Sequence, residues 1–237
     1  MASKQDEFFF QNLIAAAESS CKAAEYLVEC LKNYDYGKRF FEVEATDPTA
    51  KPGQTWAEFD LKTMVNRGKN FPSIIMWSLG NEIYAANDSR GPATAQKLYD
   101  WTKEIDDTRP CTMGEDKFRT GNTSDTTSNY VKVAEKMDVV GMNYVDNNWT
   151  RYDALRETHP DWIIYGAENS SATKSRGIYA HPDSEGTGDA GSHLDYQQSS
   201  YDNDHVGWGS TATQSLVIDR DRKWLLGEFV WTGFDYI

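Results

Sequence analysis

The sequence predicts an α/β fold in which parallel strands alternate with helices and polar side chains gather at one end of the strands. Short strand-like runs recur at 73–79, 111–114, 138–144, 162–168 and 224–231. They are continuous enough to be covered on both faces, as in a parallel sheet. Helical patterns separate them. Several runs also end in polar residues, such as Gly80, Asn81 and Glu82, which argues for a barrel with its chemistry at one rim. A doubly wound open sheet is the alternative, but no Gly-rich nucleotide fingerprint follows any strand.

In chain order, residues 7–33 read as one amphipathic helix. Phe10, Leu13, Ile14, Ala17, Cys21, Ala24, Leu27, Val28 and Leu31 recur at three- and four-residue steps, and Lys22, Glu25, Glu29 and Lys32 take the other face. The pattern changes after Tyr34, so the expected division is a helix of separate origin over 1–33 and an incomplete barrel over 34–237.

Thr55 and Glu58 form a capping-box signature, with Trp56, Phe59, Met64 and Val65 as the apolar stripe and Gly68, Asn70 and Pro72 as stop signals. A second helix begins at Pro92 and carries Ala95, Leu98, Tyr99 and Ile105 inward. Further helical stretches lie near 131–136, 153–157 and 212–219. The connection over 169–210 is rich in Ser, Gly, Asp and Tyr, and a loop of that length shapes a binding site or is disordered.

The 237 residues carry 24 Lys plus Arg against 37 Asp plus Glu, a net charge of -13. That balance repels nucleic acid and anionic membrane surfaces and favours a neutral substrate. Cys21, Cys30 and Cys111 match neither a disulfide framework nor a zinc motif, and read as reduced thiols of a cytoplasmic protein. His159, His181, His193 and His205 are dispersed, so no metal site and no cofactor are expected. Phe8 to Phe10, preceded by Asp6 and Glu7, does not read as a signal peptide, and no run is long enough to span a bilayer. Aromatic residues at 13% suit either a core or sugar stacking.

Asn81 and Glu82 follow an apolar strand, where a barrel enzyme puts reactive groups. Taken alone, the triplet equally fits an ordinary turn. Glu168 and Glu228 both lie in apolar strand segments, and spacing supports either as a second carboxylate.

The segment FDLKTMVNRGKNFPSIIMWSLGNEI and the later DVVGMNYV, DWIIYGAENSSATKSRGIY and GEFVWTGFDYI resemble glycoside hydrolase family 2, particularly its β-galactosidases. The resemblance covers about residues 34–237. It implies a partial (β/α)8 TIM barrel, strands four to eight, and retaining hydrolysis of a β-linked galactoside. It also implies that Glu82, ending strand four, is general acid and then base, and that Asn81 binds the sugar's 2-hydroxyl. Counted on the family pattern, 162–168 is strand seven. Glu168 then takes the nucleophile's place and Glu228 becomes a buried hydrogen-bonding partner. Tyr144 matches a strand-six tyrosine that contacts the nucleophile, and Trp231 a strand-eight tryptophan against which the sugar packs. Asp146, Asn147, Asn148, Trp149, Asp202, His205 and Trp208 fall in expected rim loops and are candidates for sugar recognition.

Retention calls for two carboxyl groups about 5–5.5 Å apart with pKa values pushed apart. A β-glucuronidase or β-mannosidase specificity is the near alternative. Because only strands four to eight are found, the chain is expected to be a truncated or fused gene product that need not be active alone. Its unpaired strand edge invites self-association. Metal ions assist some members of the family through ligands partly supplied by the strands not found here. Separately, KQDEFFFQNLIAAAESSCKAAEYLVECL resembles the opening helix of PhoU-like phosphate transport regulators. That resemblance implies a non-catalytic, helical partner-binding protein as the reading from another class.

Overall fold

The computed structural model describes residues 55–173, 177–179 and 199–232, all within the unit Thr46–Ile237. The helix expected over 7–33 lies outside the described residues, as does much of the 169–210 loop. One sheet of five parallel strands runs in chain order: β1 (Trp77–Asn81), β2 (Cys111–Glu115), β3 (Val139–Asn143), β4 (Ile164–Ser170) and β5 (Glu228–Trp231). Helix α1 (Trp56–Gly68) precedes β1, and α2 (Gly91–Lys103), α3 (Asn129–Ala134), α4 (Thr150–Thr158) and α5 (Ala212–Arg220) fill the four connections. Each helix returns the chain to the start of the next parallel strand, the repeat of a partial TIM barrel. No helix among the described residues is long and apolar enough to cross a membrane.

Two helices show how the local chemistry differs from the pattern. At α1 the Thr55 side chain accepts from Glu58 N at 3.3 Å, but the Glu58 carboxylate takes Lys62 at 2.6 Å, so only half of the capping box forms. The reciprocal box occurs at α5, where Thr211 accepts from Gln214 N and Gln214 accepts from Thr211 N. Each such cap contributes about 1 kcal/mol.

Two strands start four residues inside their apolar runs. β1 starts at Trp77, because Arg109 takes the Ile74 carbonyl at 2.7 Å and the Phe71 carbonyl at 3.3 Å. The first ladder bond, Trp77 N to Pro110 O at 2.9 Å, uses the only backbone group a proline can offer. β5 starts at Glu228, because Leu225 N turns back to Arg222 O and Gly227 takes a φ of 128°, a region open to glycine.

Alternation along the strands gives each face its role. One set of side chains meets the helices in two buried clusters. Val65, Trp77, Ala95, Cys111 and Met113 pack around α1, α2 and β2. Val131, Val140, Met142, Tyr152, Leu155 and Ile164 pack around α3, α4 and β3. The other set, including Thr112, Gly114, Tyr165, Ala167 and Phe229, lines a cavity of about 490 Å³ on the face away from the helices.

The entries to β1 and β2 are tied together at Asp106. Its buried carboxylate accepts from Thr108 N (3.0 Å), Thr108 Oγ1 (2.6 Å), Arg109 Nη1 (2.6 Å) and Trp77 Nε1 (3.0 Å). The bonds from Thr108, Arg109 and Trp77 hold this carboxyl well below the usual carboxylate range, against the opposing effect of burial. A depressed folded pKa means stabilisation that is complete above the unfolded value of ~3.9 and is lost as pH falls below it. Asp106→Asn should lower the unfolding free energy by about 3 kcal/mol at pH 7, read by urea denaturation. It should also remove part of the wild-type loss of stability below about pH 4.

Candidate active site

The C-terminal ends of β1, β3 and β4 share an unusual backbone. Glu82, Tyr144, Ser170 and Ser171 are non-glycine residues with positive φ, at 49°, 56°, 75° and 63°. Such conformations cost about 1–3 kcal/mol each and persist where neighbouring structure over-determines them. Here every one of the four N–H groups is anchored: Glu82 N to Gly114 O, Tyr144 N to Glu168 O, Ser170 N to Asp146 Oδ2 and Ser171 N to Trp231 O. Register shifts fall at the same rim, between Ser78 and Asn81, Met142 and Asn143, and Gly166 and Asn169. Shifts of this kind re-aim side chains at the end of a strand.

The re-aimed side chains meet. Glu82 and Glu168, with Tyr144, Trp231, Trp208, Asp116 and Arg119, line one cavity of about 330 Å³. Two amides connect the carboxylates. Asn143 Nδ2 donates to Glu82 Oε1 and to Asn81 Oδ1, both at 2.9 Å, and Asn81 Nδ2 donates to Glu168 Oε2 at 3.3 Å. The second Glu168 oxygen, Oε1, accepts from the Tyr144 hydroxyl. Burial and this bond push the Tyr144 pKa far above its ordinary value, so the hydroxyl stays a donor. Gly114 makes room for the amide pair, because a Cβ there would fall 2.4 Å from Asn81 Oδ1 and 2.8 Å from Asn143 Oδ1.

Asn81 itself is not among the residues lining this cavity and faces the space lined by Thr112 and Tyr165. Glu228 is not among the cavity's lining residues. Its Oε2 accepts from Asn169 at 2.8 Å and Ser215 at 2.5 Å, and burial pushes its carboxyl up. Of the rim-loop candidates, Trp208 lines the cavity. Asp146 is buried and holds Ser170 N and Ser210 Oγ, tying the loop that carries Trp208 to β4. Asp202 caps α5 through Ala212 N and Thr213 N. His205 faces the Val206 carbonyl at 2.8 Å. Trp149 lies in an outer groove with Asp153 and Arg222. Asn147 and Asn148 are exposed, and Asn148 accepts from Thr150.

Sequence reasoning passed over Asn143, Asp116 and Arg119. Asn143 had a signal, a lone amide closing an apolar strand. Asp116 and Arg119 had none, because charged residues after a strand usually belong to a solvated turn. Glu115 sets their turn by accepting from Lys117 N at 2.9 Å. It is buried beside Tyr130, Val133 and Ala134 of the α3 region, and that burial, with Asp116 nearby, pushes its carboxyl up to about 7.

Five parallel strands, helices on one face and a charged, aromatic rim at the strand C-termini define a segment of a (β/α) barrel with its site in the usual place for that architecture. The sequence profile described as glycosyl hydrolases family 2, TIM barrel domain, matches residues 26–236. The chain belongs to this family. A beta-galactosidase of Bacteroides ovatus, BoGH2A, is 29% identical over an alignment of 219 residues that covers 77% of this chain and 25% of that protein. A Formosa agariphila relative named for beta-glucuronidase is 28% identical over an alignment of 224 residues that covers 85% of this chain and 18% of its own. The crystal structure of a family 2 member from Bacteroides cellulosilyticus superposes with a TM-score of 0.53 at 26% identity, covering 84% of this chain and 18% of that one. The chain thus spans a quarter or less of the length of these relatives.

The raised Glu115 gives a stability test with a definite sign. The folded state keeps its proton up to about 7 and the unfolded chain only to ~4.3, so stability falls as pH rises through that window. Glu115→Gln should raise Tm over wild type by about 3–6 °C at pH 8 and leave it unchanged at pH 4, read by thermal denaturation.

Proposed function

We propose that this chain carries the carboxylate pair of a retaining β-glycoside hydrolase, β-galactosidase-type, with Glu168 as nucleophile and Glu82 as general acid and base. One observation carries the reading: both carboxylates line a single cavity and are tied to each other through Asn81 and Asn143. Ionised Glu168 attacks the anomeric carbon while Glu82 gives its proton to the departing glycosidic oxygen. A covalent glycosyl-enzyme forms and the aglycone leaves as an alcohol. Glu82, now a carboxylate, takes a proton from water as the water attacks the same carbon, which frees Glu168 and retains the configuration.

The surrounding groups suit those roles. Tyr144 and Asn81 each donate to one Glu168 oxygen, and two donors on one carboxylate fix its direction. Trp208 and Trp231 offer faces for the apolar side of a sugar ring. The galactoside preference rests on the family resemblance and the Bacteroides ovatus relative; the Formosa agariphila relative supports glucuronide as the second reading.

Any turnover of an aryl β-galactoside by the purified chain should be abolished by Glu168→Gln. Glu82→Gln should lose more on substrates with poor leaving groups than on those with good ones, because an acidic phenol departs without a proton. Equal losses on both kinds of substrate contradict the acid role. Gly114→Ala should lower kcat about 100-fold by pushing the two amides out of line. Unchanged kcat would show that the amide pair does not set the geometry.

A further inference from the structure

Consecutive residues near the end of β4 face the same way. Ala167 lines the space on the face away from the helices, and Glu168 lines the cavity that also holds Glu82, although neighbours along a strand normally point to opposite faces. Regular alternation from Tyr165 and Ala167 would turn Asn169 inward and Glu168 toward the helices. Instead Asn169 is buried beside Tyr152 of α4. The cause is a bulge. Gly166 pairs with Glu228 and Asn169 with Val230, so β4 takes three steps where β5 takes two. On the other side Met142 pairs with Gly166 and Asn143 with Glu168, two steps of β4 against one of β3. An extra residue reverses the facing of every side chain after it.

The Asn169 amide is what fixes the reversed phase. Its Nδ2 donates to Glu228 Oε2 at 2.8 Å and to the Tyr152 hydroxyl oxygen at 3.0 Å. Ser215 of α5 donates to the same Glu228 oxygen at 2.5 Å. Gly166 provides the space, since a Cβ there would fall 2.2 Å from Asn169 Nδ2 and 2.8 Å from Glu228 Cβ. Glu228 is a poor choice for stability alone, because its Oε1 is buried without a hydrogen-bond partner among the described residues. Burial, reinforced by Asp146 and Asp219, pushes its carboxyl up against the bonds from Ser215 and Asn169. That favours the neutral acid, with Oε2 as the carbonyl oxygen that both donors meet.

Resting on the reading of Glu168 as nucleophile, we infer that Glu228 is a positioning residue for it: through Asn169 it holds the β4 bulge in the phase that turns Glu168 into the cavity. It touches neither the sugar nor the reacting atoms. Without its acceptor the Asn169 side chain is released from the helix side. Glu168 then turns away from Tyr144 and Asn81, the two donors that meet its oxygens.

The test follows labelling of Glu168 in the full chain by a fluorinated β-galactoside with a dinitrophenyl leaving group. Varying the reagent concentration separates the rate of the covalent step from reagent affinity, and rates are read well below each variant's Tm. Glu228→Leu keeps the bulk and removes the acceptor, so it should slow the covalent step at least about tenfold with affinity little changed. Asn169→Leu should do the same from the other side of the contact. The double variant should lose no more than the slower single one, since all three break one contact. Glu228→Gln still offers a carbonyl oxygen to Asn169 and should label at close to the wild-type rate. Should one Leu variant fail to fold, the other carries the comparison with Glu228→Gln. Unchanged labelling in a folded Leu variant, additive losses in the double variant, or Glu228→Gln as slow as Glu228→Leu overturns the positioning role and leaves the nucleophile standing. If the wild-type chain is not labelled at Glu168, the hydrolase reading falls and the positioning role falls with it.

Discussion

Two side-chain amides hold this site in register. Asn143 reaches both Glu82 and Asn81, and Asn81 reaches Glu168, so a shift in either amide moves a carboxylate. The amides can meet only because β2 has a glycine where they cross. A hydrogen atom at position 114 is thus as much a part of the site as the acids, although it touches no substrate.

The same rim concentrates backbone strain. Glu82 and Tyr144 are held at positive φ by bonds to the neighbouring strands, and the sheet that supplies those bonds is stabilised elsewhere. Between the sheet and its helices lie Met142 and Ile164 from the strands and Tyr152 and Leu155 from α4, each essentially inaccessible. Burying side chains of this size contributes about 1.5–3 kcal/mol apiece. Folding energy gathered on the helix side therefore offsets an unfavourable but useful geometry at the strand ends. The division follows from strand periodicity: residues pointing one way build the core, and those pointing the other way, with the residues just past the strand, build the site.

Much of this was legible in the sequence. Strand-helix alternation gave the fold class, because parallel strands covered by helices leave dense apolar runs such as 138–144. The strand ends at Glu82 and Glu168 stood out because a carboxylate after such a run needs a reason. Choosing Glu168 over Glu228 rested on the strand count of the family pattern, since periodicity leaves both acids in apolar context. The difference lies in what each side chain meets, Tyr144 and Asn81 in one case and Asn169 and Ser215 in the other. Strand lengths were misjudged for a related reason. Arg109 captures two carbonyls before β1, and a side chain 35 residues away leaves no mark on a local pattern. Arg119 and Asp116 were invisible in the same sense, because only the fold decides whether a charged turn faces water or a cavity.

The central claim is that Glu168 and Glu82 act on one anomeric carbon from within a shared pocket. It is tested most directly by trapping the glycosyl-enzyme with a fluorinated β-galactoside that slows its breakdown, then locating the added sugar by peptide mass spectrometry. A single adduct on the peptide containing Glu168, accumulating more slowly in Tyr144→Phe, is the predicted result. An adduct on the peptide containing Glu228, or no covalent species while hydrolysis proceeds, would contradict the account.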